Sequence, residues 1–158
     1  MSTKVVLIRH AIPEGGMFPD DALRPISQEG RRLQRRMNRW LKALGIAPDR
    51  LFHSPYQRTK DTAHVIAEDF SVTAHTAPAL APEGNEAEVL LLLPHPSLNQ
   101  TIFLVGHGPA LRQLAYYCSG IASPVEIERS GAYVLLFEEE VAAGSALPVQ
   151  YYSPRSAT

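Results

Sequence analysis

Three short apolar runs each end in residues that could do chemistry. Val5-Val6-Leu7-Ile8 is followed by Arg9-His10, and Leu51-Phe52-His53 by Ser54-Pro55-Tyr56-Gln57-Arg58. Thr101-Ile102-Phe103-Leu104-Val105 is followed by Gly106-His107-Gly108-Pro109. An arginine offers a planar fork of donors that matches phosphate oxygens two at a time, which lysine cannot do. A histidine can be a nucleophile, a hydrogen-bond donor or a proton carrier. Taken singly, an Arg-His pair is surface decoration, a Ser-Pro pair a helix start and a Gly-His-Gly-Pro turn a backbone device. Taken together, two arginines and two histidines make a charged clamp around a nucleophile. The ligand that suits it best is a phosphoryl group.

These residues can meet only if the elements carrying them share an edge. The apolar runs read as buried strands of a parallel sheet. Between the first two, Ala11 to Ile26 is punctuated by Pro13, Gly15, Gly16, Pro19 and Pro25, so it reads as a long loop of the kind that tends to be functional. Ser27 caps a helix whose apolar face is Leu33, Met37, Trp40, Leu41 and Leu44, stopped by Gly45. Ser54 as cap with Pro55 behind it opens a second helix that runs to about Phe70. A short strand and loop are expected from Val72 to Ala81, and a short helix from Glu86 to Leu93. A helix carrying Leu111, Leu114 and Ala115 follows His107. Ala132 to Phe137 and Leu147 to Tyr152 read as two further strands. The expected fold is α/β: a single three-layer domain over residues 1–158, with a mostly parallel central sheet flanked by helices. In such sheets ligands bind at the carboxyl ends of the strands, where helix N-termini add free N–H donors.

At this point the chain resembles the histidine phosphatase superfamily, the branch 1 or phosphoglycerate mutase-like family. The residues that carry the resemblance are Leu7-Ile8-Arg9-His10-Ala11, Ser54-Pro55-Tyr56-Gln57-Arg58-Thr59 with Thr62-Ala63, and Val105-Gly106-His107-Gly108-Pro109. The small size and the stretch Leu23-Arg24-Pro25-Ile26-Ser27, with Gly30 behind it, resemble the SixA-type phosphohistidine phosphatases. The resemblance implies a two-step transfer through a phosphohistidine intermediate on His10, the nucleophile. It implies that Arg9, Arg24 and Arg58 bind the phosphoryl oxygens, that His107 stabilises the same charge, and that no metal or other cofactor is used. The arginines are expected to keep His10 unprotonated. The family's usual glycine is replaced by Ala11, a small change. Glu83 is the candidate general acid for the leaving group, with Glu86 and Glu14 behind it.

Other chemistries lack their signatures. Cys118, the only cysteine, has no arginine six positions on, no Asp-x-Asp ends the first strand, and neither a P-loop nor a Gly-x-Ser-x-Gly turn is present. His53, His64, His75 and His95 have no metal-ligand spacing and read as surface or partly buried residues. With 15 basic and 16 acidic residues, neither nucleic acid nor a membrane is an expected partner. The lone cysteine and the absence of a long apolar run lead to an expectation of cytoplasmic localisation. Three functions remain. The first is phosphohistidine hydrolysis on a phosphorylated protein, a phosphotransfer or phosphocarrier domain. The second is a general phosphomonoesterase acting on a small phosphate ester of a sugar or nucleotide. The third is a non-catalytic phosphate-binding adaptor. The basic stripe Arg31, Arg32, Arg35, Arg36 and Arg39 is either a solvated helix face or a docking surface for an acidic phosphoprotein.

Overall fold

The computed structural model describes residues 1–123 and 126–157. Its strands are β1 (Thr3–Arg9), β2 (Arg50–His53), β3 (Ala74–Thr76), β4 (Thr101–Gly106), β5 (Ala132–Phe137) and β6 (Leu147–Tyr152). Its α-helices are α1 (Gln28–Ala43), α2 (Gln57–Phe70), α3 (Glu86–Leu90) and α4 (Gly108–Ser119). One sheet holds all six strands in the order β3-β2-β4-β1-β5-β6. The first four run parallel, while β5 lies antiparallel to β1 and β6 antiparallel to β5.

The period-2 alternation of the central strands sorts their side chains between two cores. Val5 and Leu7 of β1 and Ile102 and Leu104 of β4 pack with Leu111, Leu114 and Cys118 of α4. Val6 and Ile8 of β1 and Phe103 and Val105 of β4 pack with Met37 and Leu41 of α1 and Ala63 and Ile66 of α2. The domain is therefore three layers, helix on sheet on helix, with a continuous apolar run where a strand is buried on both faces. Register aligns the strand ends. Ile8 pairs with Val105 and Val105 with His53, so Arg9-His10, Gly106-His107 and Ser54 leave the sheet at one level.

Several local expectations are revised. Helix α2 starts at Gln57 with Tyr56 as its cap, three residues after Ser54. Ser54 instead continues the strand: its N–H donates to the Val105 carbonyl at 3.0 Å, and its hydroxyl accepts from the Tyr56 N–H at 3.3 Å. Helix α3 is shorter than expected and ends at Leu90. On α1 the inward face is Gly30, Gln34, Met37, Asn38 and Leu41, and Leu44 is exposed. Gln34 donates to Asn38 and Asn38 to Asp69, which partners both buried amide nitrogens, whereas Gln34 Oε1 has no hydrogen-bond partner among the described residues. His53 is fully buried, its Nδ1–H donating to the Ser54 carbonyl at 2.8 Å. The basic stripe is partly engaged within the molecule. Arg35 bonds Asp69 at 2.7 Å and Arg36 the Ala157 carbonyl at 3.0 Å, whereas Arg31, Arg32 and Arg39 lie exposed. No helix among the described residues is long and apolar enough to cross a membrane.

Candidate active site

Arg9, His10, Pro13, Glu14, Gly15, Asp21, Arg24, Arg58 and Arg129 line an open cavity of about 500 Å³ at the strand ends. Arg9 is the last residue of β1. Its side chain runs over the first turn of α4, and its Nη1 donates to the carbonyl of Ile127, in the segment before β5, at 3.2 Å. Gly108 permits this, because a Cβ there would lie 3.1 Å from Arg9 Nε. That Nε is buried and has no hydrogen-bond partner among the described residues. Burial and the neighbouring Arg129 lower the pKa of the Arg9 guanidinium.

His10 is the next residue and is buried. Its Nδ1 lies 2.8 Å from the Ala11 carbonyl, which can only accept, so Nδ1 carries the proton. The ring pKa is pushed down to about 4, first by burial and then by Arg58, Arg9 and Arg129, against the Ala11 bond that favours the charged form. At neutral pH the ring is therefore uncharged, with its lone pair on Nε2. Burial has a larger share in this than the arginines expected to keep the ring unprotonated.

His107 caps α4, and its Nε2 is 2.9 Å from the Ser54 hydroxyl. The His10 and His107 ring centroids are 5.7 Å apart, and Tyr56 meets His107 edge-on at 4.9 Å. Burial pushes the His107 pKa down to about 3, with His10 and Arg58 adding to it. Arg58 sits in the first turn of α2 and Arg24 follows the 3₁₀ turn Asp21–Leu23. Arg24 Nη1 donates to the carbonyls of Glu14 and Gly16 at 2.9 Å each, which folds the loop around it.

Five of the six expected site residues, Arg9, His10, Arg24, Arg58 and His107, are thus brought together. Glu83 is not among them: it is exposed in the turn before α3, and neither it nor Glu86 lines the cavity. The carboxylates that do line it are Glu14 and Asp21. Asp21 and Arg129 escaped the sequence argument. The ends of parallel strands carry a readable signal, whereas Arg129 precedes the start of an antiparallel one. Because Ile8 pairs with Ala132, the beginning of β5 lies beside the end of β1. The N–H of Ser130 donates to the Arg9 carbonyl at 2.9 Å, which ties the segment to the site. Among the described residues, no group of three or more His, Cys, Asp or Glu side chains is placed to hold a metal ion.

Four guanidinium groups around a neutral, buried imidazole can hold a compact anion of more than one charge and present a nitrogen lone pair to it. Fold and cavity together define an α/β protein with a cationic cavity around a buried histidine at its strand ends. The chain belongs to the histidine phosphatase superfamily (branch 1), whose model matches residues 5–82, a stretch holding Arg9, His10, Arg24 and Arg58. Its class of activity is that of a phosphatase. The fold is shared over nearly the whole chain with solved structures. The protein histidine phosphatase SixA, complexed with tungstate, is 20% identical with a TM-score of 0.84, over 98% of this chain and 99% of that one. The phosphoserine phosphatase of Entamoeba histolytica is 17% identical with a TM-score of 0.71, over 97% and 98%. A mycobacterial glucosyl-3-phosphoglycerate phosphatase is 12% identical with a TM-score of 0.73, over 95% and 99%. Among curated proteins, none matches the sequence.

Proposed function

We propose that this protein hydrolyses phosphohistidine on a phosphorylated protein, a phosphotransfer or phosphocarrier domain of the cytoplasm, with His10 as nucleophile. The observation that carries this reading is the His10 ring itself, fixed as the Nδ1–H tautomer by Ala11 and bordered by Arg9, Arg24, Arg58 and Arg129. In the first step the His10 Nε2 lone pair attacks phosphorus. The P–Nε2 bond forms as the bond to the leaving nitrogen breaks, and that nitrogen keeps the electron pair and takes a proton from water. The phosphorylated His10 ring is cationic, and its Nδ1–H stays on the Ala11 carbonyl. Arg9, Arg24 and Arg58 hold the phosphoryl oxygens, and His107, steadied by Ser54, adds a further donor. Positioning and positive charge supply most of what phosphoryl transfer needs. In the second step water attacks phosphorus, the P–Nε2 bond breaks with its electrons returning to the ring, and the water proton leaves to solvent.

The carboxylates bear on the leaving group. An alkoxide needs a proton from a general acid, whereas an imidazole nitrogen departs more easily. Glu83 stands outside the cavity, and Arg24 and Arg58 hold the Asp21 carboxyl below its ordinary pKa, so it stays ionised and is no donor at neutral pH. Glu14, which does line the cavity, favours the second reading, a phosphomonoesterase with Glu14 as acid. The likeness to SixA supports the first.

Phosphate release in EDTA from a phosphohistidine-bearing carrier protein and from an aryl phosphate separates the two, with wild type, His10→Ala and Glu14→Gln. Fast release from the carrier, slow release from the ester and loss of both in His10→Ala are expected, with Glu14→Gln leaving carrier turnover within about threefold. Fast ester hydrolysis that collapses in Glu14→Gln would move the assignment to the esterase. Anion binding without turnover would make the protein an adaptor.

A further inference from the structure

The carboxylate of Asp21 occupies a position that the proposed phosphoryl site has reason to keep for substrate. Its Oδ1 lies 3.1 Å from Arg24 Nε and its Oδ2 3.1 Å from Arg58 Nη1. One carboxylate thus bridges two guanidinium groups through its two oxygens, as two oxygens of a phosphoryl group would.

We infer that Asp21 is a built-in competitor for the anion site: it occupies the Arg24–Arg58 pair when the cavity is empty and so weakens the hold on inorganic phosphate, the reaction product. This inference rests on the reading of the cavity as a phosphoryl site.

The alternative is that Asp21 merely aims the two arginines, but their other contacts make it dispensable for that. Arg58 Nη1 also donates to the Asp21 backbone carbonyl at 3.0 Å, and its guanidinium lies 5.0 Å from the centre of the Tyr56 ring. Arg24 has the Glu14 and Gly16 carbonyls at 2.9 Å, and its guanidinium lies 4.7 Å from the centre of the Phe18 ring. Each arm therefore stays in place without the carboxylate. The Asp21 side chain is 63% exposed, so turning it out to water costs little. A phosphoryl dianion, with more charge and a third oxygen, displaces it. When the product is ready to leave, the carboxylate returns to the same donors. Every anion then binds with an affinity reduced by one common factor, the fraction of molecules whose arginines are free.

Titration of orthophosphate and of tungstate into wild type, Asp21→Asn and Asp21→Ala tests this. Both variants are expected to bind both anions more tightly, by roughly three- to tenfold, the scale of two exposed ion pairs. The tightening should be similar for the two anions, and product inhibition by phosphate should deepen in step. Unchanged or weaker binding in the variants, with wild-type binding intact, overturns the inference, for Asp21 would then serve only to aim the arginines. Failure of wild type and variants alike to bind either anion removes the phosphoryl site, and the inference with it.

Discussion

His10 shows how much a single residue's surroundings decide. A histidine in water is half charged near pH 6.5, whereas burial among arginines pushes this one down to about 4. In the proposed mechanism, attack on phosphorus needs the uncharged ring. As pH falls, the lone pair is therefore lost only around pH 4. With an aryl phosphate, kcat/KM corrected for the substrate's own ionisation is expected to stay level from pH 7 to 5. A stopped assay series across that range checks it, and an acid limb near pH 6.5 would contradict the structural assignment. The pattern Arg9-His10 was legible in the sequence, because residue type and position after a strand suffice for it. The tautomer was not, because it depends on which oxygen the backbone turns toward the ring. The place of Glu83 outside the cavity was not legible for a related reason: carboxylates are abundant in loops, and the path of a loop is not a periodic property.

At the level of elements, the site is held by contacts between segments distant in sequence. Thr62, in the second turn of α2, accepts from the Ala11 N–H at 2.9 Å and donates to the Arg58 carbonyl at 2.7 Å. It thus fixes the residue after His10 against the helix that carries Arg58. Thr62→Val keeps the shape and removes both bonds, leaving the buried Ala11 N–H without a partner. Loss of about 1–3 kcal/mol in urea unfolding is expected, together with a drop in turnover larger than the drop in anion affinity. A second tie is steric. The first turn of α1 presses against the Ile12 backbone, where a Cβ at Gly30 would fall 2.4 Å from the Ile12 carbonyl oxygen, while that oxygen accepts from Ser27 at 2.8 and 3.0 Å. Ala11 needs no glycine-like freedom, and its methyl packs against Ile26 and Val65. The Ser27 cap was readable three residues ahead of Gly30, since capping is local chemistry. The false cap at Ser54 shows the limit of such signals: that hydroxyl is taken by Tyr56 and His107, and only the assembled sheet brings His107 within reach.

For the whole molecule, two buried histidines set a dependence of stability on pH. His10 and His107 have folded pKa values of about 4 and 3, below the unfolded value near 6.5, and burial lowers that of His53 as well. Between those limits the unfolded chain binds more protons than the folded one, so stability is greatest above pH 6.5 and falls as pH is lowered. From pH 6.5 to 5 the loss is expected to be roughly 2 to 4 kcal/mol. Urea unfolding at both pH values measures it, and the double replacement His10→Asn, His107→Asn should remove most of the difference. The mostly parallel sheet was legible because buried parallel strands are short and continuously apolar. The direction of β5 was not, because an antiparallel strand differs from a parallel one in its partner rather than in its composition. That strand has a bearing on synthesis. β1 emerges from the ribosome first, yet it lies between β4 and β5, with Val5 opposite Ile102 on one side and Leu135 on the other. At about 5–20 residues per second, the first strand waits many seconds for both neighbours. The nascent chain has His10 early and Arg129 late, so every incomplete product that stops before Arg129 lacks one wall of the cavity.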